Sequence, residues 1–87
     1  MYKLIAIDLD GTALNSYGII TEKTKSALQQ VINNGIEIVL ASGRSTFSIM
    51  PFLDGIKGVN YIIAGNGALL YDIKQKNTIF FTNFYYF

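Results

Sequence analysis

The sequence has no cysteine, no histidine and no tryptophan, one proline (Pro51) and one arginine (Arg44). Without cysteine it can hold neither a disulfide framework nor a zinc-thiolate site, and without histidine it excludes Ser-His-Asp and Cys-His catalysis and imidazole metal ligation. An excess of one charge is missing too. Seven Lys and Arg against six Asp and Glu leave a net charge of +1, which gives no electrostatic reason to expect nucleic acid or an anionic membrane as partner. No stretch approaches the roughly 18 apolar residues needed to cross a bilayer. The apolar start is broken by Asp8 and Asp10 before a signal-peptide cleavage region could follow, so a cytoplasmic chain is expected. The groups left for chemistry are carboxylates, hydroxyls, amines, amides and one guanidinium.

What is present is a chain of 87 residues, 51% hydrophobic and 15% charged, enough for one small domain over 1–87. A chain of this size buries only about 60–65% of the surface its unfolded form exposes, so its core is marginal and association with another copy is an expectation.

Leu4-Ile5-Ala6-Ile7 is a continuous apolar run, the pattern of a strand covered on both faces in a parallel sheet. Residues 11–20 (GTALNSYGII) carry loop residues. A helix is expected next, with Thr21 as N-cap, Glu22 in the first turn, Ala27, Leu28, Val31 and Ile32 as its apolar face, and Asn33-Asn34-Gly35 as its stop. Residues 36–41 (IEIVLA) read as a second buried strand. Residues 45–53 (STFSIMPFL) read as a second helix with Phe47, Ile49, Met50 and Leu53 inward, although Pro51 must shorten or restart it. Tyr61-Ile62-Ile63-Ala64 is a third strand. Residues 68–71 and 78–81 then flank the polar DIKQKN as a β-hairpin. The aromatic residues at 80–81 and 84–87 are expected to form a buried edge or a contact with another copy.

Strand, helix, strand, helix, strand is the alternation of a partial doubly wound α/β sheet. Right-handed crossovers bring all three strand C-termini to one edge, where such sheets bind ligands. The three ends read Asp-Leu-Asp-Gly-Thr, Ser-Gly-Arg and Gly-Asn-Gly.

If extended geometry persists, Asp8 and Asp10 point to one side at close range. Two carboxylates in one pocket repel, so either one holds a proton, giving an acid/base pair, or a cation sits between them. The available ligands are all hard oxygens, which favours Mg²⁺ over zinc or copper. Gly11 permits a tight turn and close backbone approach, and Thr12 adds a hydroxyl and an amide. The plainer alternative makes Asp10-Gly11 a turn and Asp8 a strand terminus.

Ser42-Gly43-Arg44 opens a helical segment, so its amides offer a seat for a phosphate, and the Arg44 fork suits phosphoryl oxygens. Equally, Ser42 can be a helix cap and Arg44 a solvated charge. Asn66-Gly67 reads as a turn needing positive φ, whose Asn side chain can also face the site.

These motifs resemble the haloacid dehalogenase (HAD) superfamily of phosphohydrolases, in its Cof-type sugar-phosphatase branch. The resemblance is carried by residues 5–14 (IAIDLDGTAL), 40–44 (LASGR) and 65–72 (GNGALLYD). It implies Asp8 as the nucleophile that forms an aspartyl-phosphate and Asp10 as the acid and then the base. It implies Mg²⁺ on the Asp8 carboxylate and the Asp10 carbonyl, with Gly11, Thr12, Ser42, Gly43, Arg44 and Asn66 around a small phosphorylated metabolite such as a sugar phosphate. The family also uses a later lysine and a Gly-Asp-x-x-Asn-Asp motif, and this sequence has no Gly-Asp dipeptide. The expectation is therefore the N-terminal half of a HAD-like core, without cap domain or C-terminal half, and with weak or no hydrolysis. A non-catalytic module that pairs with its own copy or with a complementing chain is the alternative.

Overall fold

The computed structural model describes residues 3–81. Five strands form one sheet in the order β1 to β5: β1 (Lys3–Asp8), β2 (Ile36–Ala41), β3 (Tyr61–Ala64), β4 (Leu69–Asp72) and β5 (Asn77–Phe81). The first three are parallel and the last two antiparallel, so the hairpin extends the sheet instead of standing apart from it. The aromatic positions 84–87 lie outside the described residues.

Helix α1 (Glu22–Asn33) starts where the sequence places a cap: the Thr21 hydroxyl accepts from the Thr24 amide at 3.2 Å. Its inward residue is Leu28; Val31 and Ile32 are half-buried, and Ala27, expected on the same face, is exposed. Helix α2 (Thr46–Ile49) is only four residues long and passes into a 3₁₀ turn over Met50–Leu53. Pro51 causes the change, since it lacks the amide an α-helix needs and fits the first positions of a new turn. The shortened helix buries Ile49 but leaves Phe47 90% exposed and Met50 exposed, so neither belongs to the core as the apolar spacing predicts.

Both crossovers run in the same direction along the sheet, and crossovers of one hand then put both helices on one face. That face carries the core: Ile38 and Leu40 of β2 and Ile62 and Ala64 of β3 pack against Leu28 and Ile49, with Leu9, Ala13 and Ile20 closing the top. Val39 is buried on the opposite face, where Leu4, Ala6, Tyr61, Ile63 and Ile79 border an open apolar groove of about 460 Å³. Strand β1 is an edge of the sheet formed by the described residues, with Leu4 50% and Ile5 41% exposed. Its apolar run predicts cover on both faces; among the described residues Leu4 and Ala6 instead border the open groove.

Candidate active site

Strand pairing brings the ends of β1 and β2 together. Asp8 is in register with Ala41, the residue before Ser42. Beyond Asp8 the chain leaves the strand in a wide turn over Leu9–Ala13, closed by the Leu14 amide donating to the Leu9 carbonyl at 2.9 Å. Gly11 makes the turn possible with φ +83°, a conformation that costs a residue with a Cβ. Extended pairing therefore stops at Asp8, and the two acidic residues flank a fully buried Leu9 with their own side chains exposed. Leu9 anchors the turn; Asp8 and Asp10 are presented by it. Thr12 is exposed in the same turn.

Asp10 meets the second strand end directly. The Ser42 hydroxyl donates to Asp10 Oδ2 at 3.0 Å. Arg44 grips the same carboxylate with two nitrogens: Nε lies 3.0 Å from Oδ2 and 3.2 Å from Oδ1, and Nη2 lies 2.8 Å from Oδ1. A planar guanidinium matches a carboxylate in this way, and the lone arginine of the chain is committed to it. The guanidinium also lies over the Phe52 ring, 5.0 Å from its centroid.

Charge follows from that geometry. The Arg44 hydrogen bonds hold the Asp10 carboxyl below its ordinary range; partial desolvation opposes this and the Ser42 hydroxyl adds to it. Asp10 in turn pushes the Arg44 guanidinium upward. Asp8 has no side-chain hydrogen-bond partner among the described residues, which leaves its carboxylate available.

Ser42 is buried and is not the cap of α2; Ser45 is, accepting from the Ser48 amide at 3.3 Å. The Ser42 Oγ instead accepts from the Arg44 amide at 3.0 Å, folding the loop back so that the guanidinium faces Asp10. A four-residue helix that starts after Ser45 is also too short and too late to supply the dipole that the sequence places behind Ser42-Gly43-Arg44. The third strand end is tied to this loop through backbone. The Ser42 amide donates to Ile63, the Asn66 amide to Ser42 and the Gly65 amide to Arg44, at 2.9, 3.2 and 3.0 Å. Asn66 adopts φ +57° in that turn, as an Asn before Gly readily does. Its side chain lies against Gly43.

The sequence offers Arg44 either to a phosphate or to solvent and gives Phe52 no role; no local spacing pairs the two, and their contact follows from the fold of the loop and the Pro51 turn.

The carboxylate of Asp8 and the main-chain carbonyls of the turn are hard oxygens and suit Mg²⁺ in kind. Asp10 has its carboxylate engaged by Ser42 and Arg44, which leaves its carbonyl as the atom to offer. Among the described residues, no three acidic, histidine or cysteine side chains come together, so these donors make only part of a shell.

The family profile of the haloacid dehalogenase-like hydrolases matches residues 5–85. The chain belongs to that family. The Cof-type branch indicated by the three motifs stands with it. Among curated members, the HAD chain is 41% identical to phosphatase YwpJ of Bacillus subtilis over 74 residues, covering 85% of this chain and 26% of that protein. It is 39% identical to the 5-amino-6-(5-phospho-D-ribitylamino)uracil phosphatase YwtE of the same organism, covering 85% and 25%. A haloacid dehalogenase-like hydrolase from Bacteroides thetaiotaomicron superposes with a TM-score of 0.84 at 34% identity, over 92% of this chain and 31% of that one. The chain thus spans less than a third of the length of these HAD relatives. No helix among the described residues is long and apolar enough to cross a membrane.

Proposed function

We propose that this chain carries the nucleophile and acid/base part of a Mg²⁺-dependent phosphomonoester hydrolase acting on small phosphorylated metabolites such as sugar phosphates. The observation that carries the reading is the junction of two strand ends, with the Asp10 carboxylate 3.0 Å from the Ser42 hydroxyl while Asp8 stands beside it on β1 without a partner among the described residues. In this reading an Asp8 oxygen attacks phosphorus, the bond to the alcohol oxygen breaks, and the Asp10 carboxyl gives that oxygen its proton. Asp10, now a carboxylate, takes a proton from water as the water oxygen attacks the aspartyl-phosphate, releasing phosphate and restoring Asp8. The Arg44 pair favours the ionised form of Asp10, which the second half uses, and opposes the protonated form that the first half needs, so in this reading the pair loosens before Asp10 acts as the acid. Gly11 and Thr12 contribute the turn amides, and Ser42, Gly43 and Asn66 line the approach of the phosphoryl group. Asp8 and the Asp10 carbonyl would hold the Mg²⁺, which when bound neutralises charge between carboxylate and phosphate.

The test is trapping with beryllium fluoride and Mg²⁺, read by fluorine NMR. A bound signal that disappears in Asp8→Asn is expected; no bound signal at millimolar fluoride counts against the reading. Turnover of p-nitrophenyl phosphate by the 87-residue chain is expected to be slow or undetectable, since the sequence has no Gly-Asp motif to supply further carboxylates.

The second reading, a non-catalytic module that covers its open sheet face with another copy or a complementing chain, is favoured by one observation. Strand alternation puts Glu37 on the same face as Val39, and its buried Oε1 has no hydrogen-bond partner among the described residues. A covering chain would have to bring a donor to it.

A further inference from the structure

We propose that Arg44 is a positioning residue for Asp10, and that Phe52 fixes Arg44 in that role: an aromatic ring, a guanidinium and a carboxylate form one chain of contacts that aims Asp10 as the base.

The inference rests on the phosphatase reading for the role of Asp10, and on geometry alone for the clamp. An exposed aspartate on a turn is ordinarily free to rotate. Here both oxygens are taken, Oδ1 by two Arg44 nitrogens and Oδ2 by Arg44 Nε and Ser42 Oγ, so rotation of the carboxylate breaks several bonds at once. A clamp of this kind works only if the arginine is itself held. Its main chain is, on both sides of its Cα: the amide donates to Ser42 Oγ and the carbonyl accepts from the Gly65 amide. The long side chain needs a further support, because the Arg44 and Asp10 side chains are 38% and 49% exposed and water competes for both. Phe52 supplies it. Its ring sits under the guanidinium within the range of cation–π attraction, and it is half-buried and packed against the core, so it is a fixed platform.

The Pro51 turn has a consequence here. The passage from α2 into a 3₁₀ turn changes the residue rise and rotation just before Phe52, and the ring arrives beneath Arg44 instead of following the face of α2. Arg44 is then committed to Asp10 through Nε and Nη2, and Nη1 is the part of its fork that makes no bond among the described residues.

Because the sequence has one arginine, its Nε–H gives one unambiguous nitrogen-15 cross-peak. The experiment follows the exchange rate of that proton with water in the 87-residue chain. Asp10→Asn is expected to speed exchange about tenfold, as the charge-assisted bonds are lost. Phe52→Leu is expected to speed it about threefold while the backbone amide spectrum stays that of the folded chain, and Phe52→Tyr to restore the original rate. Phe52→Met replaces the leucine variant if the latter does not fold. An Nε–H that exchanges at the same rate in Asp10→Asn overturns the clamp. An unchanged rate in a folded Phe52→Leu or Phe52→Met, or a Phe52→Tyr that behaves like leucine, overturns the role of Phe52. None of these readings needs turnover, so a chain that fails to bind beryllium fluoride speaks against the phosphatase reading and leaves the result for Arg44 and Phe52 intact.

Discussion

A Cβ placed on Gly43 would lie 2.7 Å from the side-chain oxygen of Asn66. The β2–α2 loop and the β3–β4 turn are in contact at that point, and the atom met is the far end of an exposed Asn66 side chain that makes no hydrogen bond among the described residues, so it can turn aside. Gly43→Ala is therefore expected to cost at most about 0.5 kcal/mol, measured as a small drop in urea midpoint at unchanged slope. Asn66→Ala in the same background should remove that small cost, because it removes the atom the methyl meets.

The Asp10–Arg44 pair sets a pH dependence with a definite sign. Asp10 has a folded-state pKa below its unfolded value, so its contribution is present above the unfolded value of about 3.9 and fades as pH falls through the lower folded one. Carbon-13 titration of the Asp10 carboxyl should give a midpoint below that of an unstructured aspartate. Arg44→Gln should move it back upward, and the acid limb of stability should move up with it.

Core and open faces of the sheet should respond differently to truncation. Leu40 is fully buried between the sheet and the helices, and Leu40→Ala is expected to cost about 2–5 kcal/mol. Leu4 is half exposed beside the open groove, and Leu4→Ala is expected to cost under about 0.5 kcal/mol, as exposed substitutions do. Under the interaction-module reading the Leu4 cost instead becomes large and dependent on protein concentration, so the pair of variants, measured from micromolar to millimolar, separates the two readings.

The cap on α1 offers a local check. Thr21→Ala removes the acceptor of the Thr24 amide and is expected to cost about 1 kcal/mol, while Thr21→Asp should be close to neutral. Thermal unfolding followed by circular dichroism reads both.

The order of elements and most of their bounds could be read directly from the sequence, because apolar runs, caps and glycine stops act over a few residues. Thr21, Asn34 and Gly35 bound α1 in this way, and the Ser42, Gly65 and Asn66 positions fall at strand ends because the apolar runs end there. What the sequence did not disclose depends on contacts between distant segments. Phe47 is spaced to share a helix face with Met50, yet it lies two positions from the buried Ile49 and so on the other side of the short helix. Leu4 and Ile5 have the composition of a strand covered on both faces, and their exposure is decided by what packs over β1: Leu4 borders the open groove on the face away from the core, and β1 is an edge of the described sheet. Arg44 could be read as a substrate ligand because a guanidinium suits any oxyanion; the backfolding of the loop through Ser42 Oγ selects the carboxylate of Asp10.

The backbone bonds of the β2–α2 loop reach both β3 and the turn after it: Ser42 donates to Ile63, and Gly65 and Asn66 donate to the carbonyls of Arg44 and Ser42. Strand β4 is paired along β3 and β5 along β4. A load applied to the outer strands, by a neighbouring molecule or by attached polypeptide, is therefore spread along those ladders into β3, and reaches the loop that steadies Asp10 through main-chain atoms.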